Sequence, residues 1–575
     1  MNLDGLKICE QRKALLETSG HLLILGRPGS GKTTIALVKA AIDLSTTPLQ
    51  LGQKILFLSF ARATVARVMQ EARHRIQPEL RAQIEISTYH GFAWSFIRTF
   101  GYLATGRRKL QLLTPPEMAT ANAGIAREDR PANVKRLLAE EGLLGFDLFA
   151  GLMADLLEGS ARLRDLLSDS YPTIIVDEFQ DTNADEWRMI AALGGKSRIV
   201  AMADPEQRIY EFRGADPARI GNFVEKFDPK MFDFGKENNR SDGTDIVLFG
   251  NDLLTGANIG KSYNDVVVNR YAFYRPELLL PVKYSLLGAM KRVIESGKKD
   301  WSIAILVSSR DMMVQVSALL ARSTSGLPEI GHDVLIDPEG PALAAILIGG
   351  LLEGAQTPEE LTRKFMTDLL AHIRGRKGGE ISQTDLALAS ALDGYMATGL
   401  IRGSKRSELV ANIQAIVAAR MATSFAGEPE TDWLAMRRLI DAASHGAFGA
   451  LSEDARFIRL LRRGTELREN LADRWRDSGT YAGARQIVSS ALLQEHFSAA
   501  TRVWSGVNVM TIHKSKGKEF DEVLIFEGVH SGRLTRNDPT PRELDQSRLN
   551  LRVGVTRARK RTTILTPGWN ACPLL

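Results

Sequence analysis

Two stretches of this chain carry residues able to bind and cleave a nucleoside triphosphate. Gly26-Arg27-Pro28-Gly29-Ser30-Gly31-Lys32-Thr33 fits the phosphate-loop pattern G-x-x-x-x-G-K-[ST]. The apolar run His21 to Leu25 precedes it, and Thr34-Ile35-Ala36-Leu37-Val38 follows, which reads as strand, loop and helix. Glycines in that context let backbone N–H groups approach phosphate oxygens, and the helix N-terminus adds a favourable dipole. Lys32 is then expected at the β- and γ-phosphates. The Thr33 hydroxyl is expected on Mg²⁺. In the second stretch, Ile174-Ile175-Val176-Asp177-Glu178-Phe179-Gln180-Asp181, a buried apolar strand ends in adjacent carboxylates. Asp177 suits the metal shell, and Glu178 suits a base that polarises the attacking water. Either stretch alone could be a glycine turn or a solvated acidic turn; together they predict an ATP hydrolase.

The elements that must position these residues are α/β in character. About 145 residues separate Lys32 from Asp177, far more than one strand–helix–strand crossover needs, so something is inserted into the nucleotide-binding sheet. Lys54 to Phe60 reads as a buried strand and Ile84 to His90 as an alternating one, whereas Gly101 to Ser170 turns to short amphipathic helices such as Val134 to Leu138. The sheet resumes at Thr173 and continues through Arg198 to Asp204. A second α/β unit begins near Lys236, with strands at Asp265 to Val268 and Ser302 to Val307 and a helical pattern from Met312 to Ala321. Strand signals vanish from Thr357 to Ala499, where Phe457, Leu460, Leu461, Leu467, Leu471 and Trp475 fall on one helical face. They return at Val507 to Thr511 and Glu522 to Phe526, while the Gly-rich piece Arg374 to Gly379 reads as a loop.

Composition bounds the rest. The 575 residues suggest three or four domains, and 44% hydrophobic with 25% charged residues describes an ordinary globular chain. No apolar run reaches the length of a membrane span and the N-terminus lacks a basic start leading into an apolar stretch, so a cytoplasmic protein is expected. Cys9 and Cys572 are the only cysteines, too few for a disulfide framework or a thiolate zinc site. A net charge of +6 permits nucleic-acid binding without requiring it.

The ordered motifs resemble those of the UvrD/Rep-like superfamily 1 DNA helicases, from about Ile8 to Arg561. Gln11 resembles the family's adenine-reading glutamine. Ser59 to Ala63 is similar to motif Ia, Ser87 to Phe92 to the next DNA-contacting motif, and Asp177 to Asp181 to the DExQD box. Ala203 to Ala215 resembles motif III, Asn238-Asn239-Arg240-Ser241 motif IV, Thr511 to Phe520 motif V and Val553 to Arg559 motif VI. The resemblance implies two RecA-like parallel-sheet domains, each with a mainly helical insertion: residues 1–100 and 171–235 (1A), 101–170 (1B), 236–356 and 500–575 (2A), and 357–499 (a reduced 2B). It implies ATP and Mg²⁺ as cofactors and single-stranded or tailed duplex DNA as the partner. The nucleotide residues it implies are Gln11, the loop Gly26 to Thr33, Thr34 and, near the sugar, Glu519. Gln207 would sense the γ-phosphate and the attacking water.

Arg240 and Arg557 would reach the γ-phosphate from the second half. Guanidinium groups fork onto phosphate oxygens and stabilise charge developing in phosphoryl transfer, so paired arginines there can tie hydrolysis to domain closure. Arg557 is read in a turn that ends an apolar strand. Phe60, Tyr210 and Phe212 are carried over as base-stacking residues, and Thr88, His90 and His513 as phosphate contacts. Three departures stand out. Arg552 replaces a usual aromatic, Lys514 and Lys518 add charge to motif V, and an aromatic-rich motif is missing between Ile330 and Ala355. The chain also stops soon after motif VI, with no room expected for a nuclease domain. The implied activity is a 3′-to-5′ DNA helicase. The alternative is a nucleic-acid-stimulated ATPase acting as sensor or motor for a partner nuclease in DNA repair or antiviral defence, without unwinding alone.

Overall fold

The computed structural model describes residues 9–575 except 27–28, 61, 107–109, 205–215, 217, 235–242, 273–278, 336–338, 379–380, 457–465, 498–503 and 537. Arg27, Pro28, Gln207, Tyr210, Phe212 and Arg240 therefore lie outside the described residues, as do Phe457, Leu460 and Leu461. The chain divides into two compact units. One comprises Met1–Ala93, Met153–Ile336 and Ala499–Leu575, and the other Trp94–Leu152 with Asp337–Ser498.

The first unit holds two six-stranded sheets in which every pairing is parallel. In chain order the strands are β1 (Leu22–Leu25), β2 (Ile55–Ser59) and β3 (Ile84–Thr88); β4 (Gln111–Leu112) and β5 (Leu143–Leu144) form a separate two-residue pair in the helical unit. Then come β6 (Thr173–Val176), β7 (Arg198–Ala203), β8 (Lys230–Asp233), β9 (Val266–Tyr271), β10 (Ser302–Val307) and β11 (His332–Val334). Last are β12 (Gly506–Thr511), β13 (Phe520–Phe526) and β14 (Ala558–Pro567). The first sheet runs β3-β2-β6-β7-β1-β8 and the second β11-β12-β10-β13-β14-β9. Inner strands such as Ile55–Ser59 and Ser302–Val307 are buried throughout, which explains their near-continuous apolar sequence.

This strand order closes the long gap in sequence. β7 pairs with both β1 and β6, so the ends of β1 and β6 lie only two strands apart on one sheet edge. Ligands of open parallel sheets bind at that carboxyl edge.

Two local readings are corrected. The apolar run before Arg557 is a helix, Pro541–Val555, rather than a strand. Thr540 and Glu543 form a capping box with Pro541 in the first turn, and Leu551, Val553 and Val555 are the buried face. The strand expected over Ile84 to His90 ends at Thr88, because a helix begins at Tyr89.

The second unit is helical, apart from β4 and β5. Its core is built by the helices Glu339–Glu353, Pro358–Gly375, Ser404–Met421, Pro429–Asp441 and Ala484–Phe497, among others. The helix over 358–375 carries Arg374 and Gly375, so the expected Gly-rich loop begins only at Arg376. Charged groups inside this core are matched. Asp368 receives two nitrogens of Arg485 at 2.8 to 3.2 Å, and buried His372 meets Asp454 at 2.9 Å. Among the described residues no helix is long and apolar enough to cross a membrane.

Candidate nucleotide site between two parallel sheets

The phosphate loop leaves β1 and enters the helix Lys32–Thr46, whose N-cap Gly31 sits at φ 81°, in the left-handed region where a side chain is strained. A Cβ on Gly26 would lie 2.5 Å from Ser30 Oγ, so the loop has no room for one. Lys32 Nζ donates to the Gly26 carbonyl at 2.5 Å and lies over the loop that its charge would serve. Thr34 lines the same cavity, and its hydroxyl donates to Glu71 at 3.3 Å.

At the end of β6, Asp177 is buried and accepts from the Glu178 N–H at 3.0 Å, with Ser59 Oγ at 3.5 Å. Glu178 is a non-glycine residue at φ 53°, a left-handed backbone that turns its carboxylate out of the strand line. Gln180 donates to Glu178 at 2.6 Å and accepts from the Asp204 N–H at 2.9 Å, tying the ends of β6 and β7 together. Burial and the neighbouring Glu178 anion hold the Asp177 carboxyl above its ordinary range, against the pull of Arg67 and Lys32. For Glu178, burial pushes upward, but Lys516, Lys32, the Gln180 hydrogen bond and Arg557 outweigh it and hold the carboxyl low. The two neighbouring carboxyls are therefore shifted in opposite directions, Glu178 down and Asp177 up.

A cavity of about 600 Å³ joins these groups to the second sheet. Gly29 to Thr34, Asp177, Glu178 and Asp204 line one side, and Gly517, Glu519, Arg557 and Arg559 the other. Arg557, buried between helix Pro541–Val555 and β14, is fixed by its own Nε donating to Val553 O at 2.9 Å and by Thr556 Oγ1 at 3.3 Å. Glu519 accepts from Arg67 of the first half at 2.7 Å and from Arg559 at 3.3 Å. Lys516 makes a fully buried ion pair with Asp181 across the two sheets. Among the described residues no group of three or more His, Cys, Asp or Glu side chains could hold a metal. The Thr33 hydroxyl and Asp177 carboxylate on one cavity wall are the hard oxygen donors that Mg²⁺ arriving with a triphosphate requires, so the residues fit that ion.

Other expected residues are placed as follows. Gln11 is exposed on the helix Glu10–Glu17 and does not line the cavity, whereas its neighbour Arg12 is wholly buried and donates to the Ser30 carbonyl at 2.8 Å. Arg12 was missed; the signal was an arginine three residues from Leu15 on the inward face of a short amphipathic helix. Phe60, Thr88 and His90 gather at the ends of adjacent β2 and β3, where half-buried Phe60 stacks on Tyr89 with centroids 4.5 Å apart. Thr88 Oγ1 accepts from the Gly91 N–H at 3.0 Å. His513 follows β12 in the other sheet. Lys518 lies over the Trp504 ring at 5.5 Å, and Arg552 replaces the usual aromatic by burying itself against Asn251 Oδ1 at 3.1 Å.

Known families decide what this arrangement is. The UvrD/REP helicase N-terminal domain matches residues 9–130 and 132–228, and the UvrD-like helicase C-terminal domain matches 462–566. This chain belongs to the UvrD/Rep-like helicase family. Membership makes it an ATP-dependent helicase. Among relatives, a protein named DNA helicase II from Haemophilus influenzae is 23% identical across 98% of this chain and 84% of its own length. The exonuclease/helicase subunit RexA of Lactococcus lactis subsp. cremoris is 24% identical over 67% of this chain and 36% of its own length. The RecBCD enzyme subunit RecB of Mycolicibacterium smegmatis is 43% identical over 108 residues, 18% of this chain and 10% of its own.

Proposed function

We propose that this chain is a DNA-stimulated ATPase that moves 3′ to 5′ along single-stranded DNA and separates duplex ahead of it. The observation that carries the reading is the single cavity bounded by Lys32, Asp177 and Glu178 of one sheet and by Glu519 and Arg557 of the other. A triphosphate there touches both sheets, so its cleavage changes what holds them together. Lys32 and the loop N–H groups bind the phosphates, and ionised Glu178 takes the proton of the attacking water. Arg557, with Arg240 and Gln207 as further candidates, stabilises charge on the transferred phosphoryl group. Mg²⁺ held by Thr33 and Asp177 would neutralise phosphate charge.

Glu519, which accepts from Arg67 and Arg559, is assigned to the nucleotide sugar by the family resemblance. Phe60 would stack a base while Thr88, His90 and His513 meet phosphates, with Tyr210 and Phe212 assigned to stacking by family position. The polarity rests on the family resemblance.

A second reading, a motor for a partner nuclease, is favoured by the local match to RecB and by the exonuclease/helicase relative. The test is ATP-driven strand separation by the purified chain on duplexes with a 3′ or a 5′ tail, with Lys32→Ala as control. Opening of the 3′-tailed duplex alone, lost in the control, is expected. ATP consumption with single-stranded DNA but no opening of either duplex would transfer the case to the nuclease motor.

A further inference from the structure

The structure holds an arginine whose burial the expected ATP chemistry leaves unexplained. Arg12 has no exposed surface, although the helix that carries it, Glu10–Glu17, has only eight residues. Burying a guanidinium is costly unless its donors find acceptors. One of them does so in the phosphate loop itself, donating to the carbonyl of Ser30 at 2.8 Å. On its other side the guanidinium lies over the ring of Phe234, 5.3 Å from the centroid, just past the end of β8. A second observation falls on the same loop residue: Ser30 is 1% exposed, and its Oγ is buried with no hydrogen-bond partner among the described residues.

A trans peptide points its carbonyl and the next N–H in opposite directions. Drawing the Ser30 carbonyl back toward Arg12 therefore turns the Gly31 N–H forward, toward the cavity that Gly31 lines. Gly31, held at φ 81°, allows the chain to take that turn and enter the helix at once. We propose that Arg12 is a positioning residue of the phosphate loop, which sets the Ser30–Gly31 peptide so that its N–H meets nucleotide phosphate. The proposal rests on the reading of this cavity as the ATP site. It adds to the adenine-reading role expected of the adjacent Gln11 a separate one carried through the loop backbone.

Calorimetric binding of Mg-ADP to the full chain tests it, with ATP turnover measured alongside. Arg12→Gln removes the charged donor and is expected to weaken ADP about tenfold and raise KM for ATP by a similar factor. kcat at saturation stays within about threefold, because Glu178 and Lys32 are untouched. Arg12→Lys keeps the charge but loses the planar fork, and falls between the two. Phe234→Leu removes the ring that holds the Arg12 guanidinium against the Ser30 carbonyl; about a threefold weakening of ADP binding is expected, and this variant keeps the test open if Arg12→Gln does not fold. Folded Arg12→Gln, or Phe234→Leu in its stead, binding ADP as the wild type does would overturn the proposal, even with a lowered melting temperature. Wild-type protein that fails to bind ADP would instead overturn the ATP-site reading on which the proposal rests.

Discussion

The two parallel sheets of the first unit have the same strand count and pairing sense, yet bring opposite chemistry to one cavity. The first contributes carboxylates, Asp177, Glu178 and Asp204 at strand ends and Glu71 on a helix, beside the cations Lys32 of the glycine loop and Arg67. The second contributes mainly cations, Arg557 and Arg559, together with Glu519, while its Lys516 is buried. Some ion pairs are divided between the sheets, Arg67 of the first half meeting Glu519 of the second and Lys516 of the second meeting Asp181 of the first, so that nucleotide and sheet compete for some of the same cations.

The largest effect that breaks this division is expected at Arg557. Arg557→Ala removes the cation that the second sheet brings to the cavity, and should lower kcat for ATP by about 10³-fold or more. Mg-ADP binding should stay within a few-fold of wild type, because the loop and Lys32 belong to the other sheet. Steady-state ATPase with calorimetric ADP binding checks both halves. An equal loss in the two would mean that Arg557 belongs to binding rather than to the chemical step.

The next effect is on stability. Lys516 and Asp181 are paired and buried across the sheets, their side chains 5% and 1% exposed. At about pH 8, above the range in which Asp181 holds a proton, Lys516→Met leaves the Asp181 carboxylate buried without its cation and should cost about 3–5 kcal/mol of unfolding free energy. The double variant with Asp181→Asn should recover most of it, since a neutral pair pays no such desolvation. Denaturant titrations of the single and double variants decide. Additive losses would show that the ion pair does not couple the sheets.

The two sheets also differed in how much their sequence disclosed. The first sheet's share of the cavity was legible because its residues are contiguous: a glycine loop between strand and helix, and two carboxylates closing an apolar strand. The second sheet's share was legible only through the family resemblance, which named Arg557 and Glu519 but not the elements that carry them. Helix Pro541–Val555 has a run of Leu and Val that imitates a strand, and the capping box at Thr540 and Glu543 was the contrary signal. β14 begins Ala558-Arg559-Lys560-Arg561, charges that hide a strand whose later residues are all buried. β8 is a four-residue edge strand with one buried side chain, too short to show a period. Among the lysines of motif V the sequence singled out Lys514 and Lys518, and it passed over Lys516, which pairs with Asp181 of the other sheet. Its partner lies 335 residues away, a distance no local pattern spans. Arg12 failed for the same reason, because only the folded loop above it explains an arginine on an inward helix face.

The smallest predicted effect is a pH dependence of stability that sharpens the view of Asp181 as the point where the sheets meet. Burial pushes the Asp181 carboxyl up to about 7, with Lys516 pulling back and the Glu178 anion adding to the rise. Unfolded, the same group titrates near the ordinary aspartate value of about 3.9. Between those values the folded chain holds a proton that the unfolded chain has released, so stability must fall as pH rises. The contribution is complete below the unfolded value and gone above the folded one, the reverse of an aspartate that gains stability on ionising. Asp181→Asn cannot titrate, so its melting temperature should change less than the wild type's between pH 4 and pH 7, with the curves converging in slope above that range. Glu178, held low, works in the opposite direction but only in acid, where its protonation removes stability from both proteins alike. Parallel curves across the whole range would mean that Lys516 keeps Asp181 ionised throughout, and that the inter-sheet contact is a permanent ion pair rather than a titrating one.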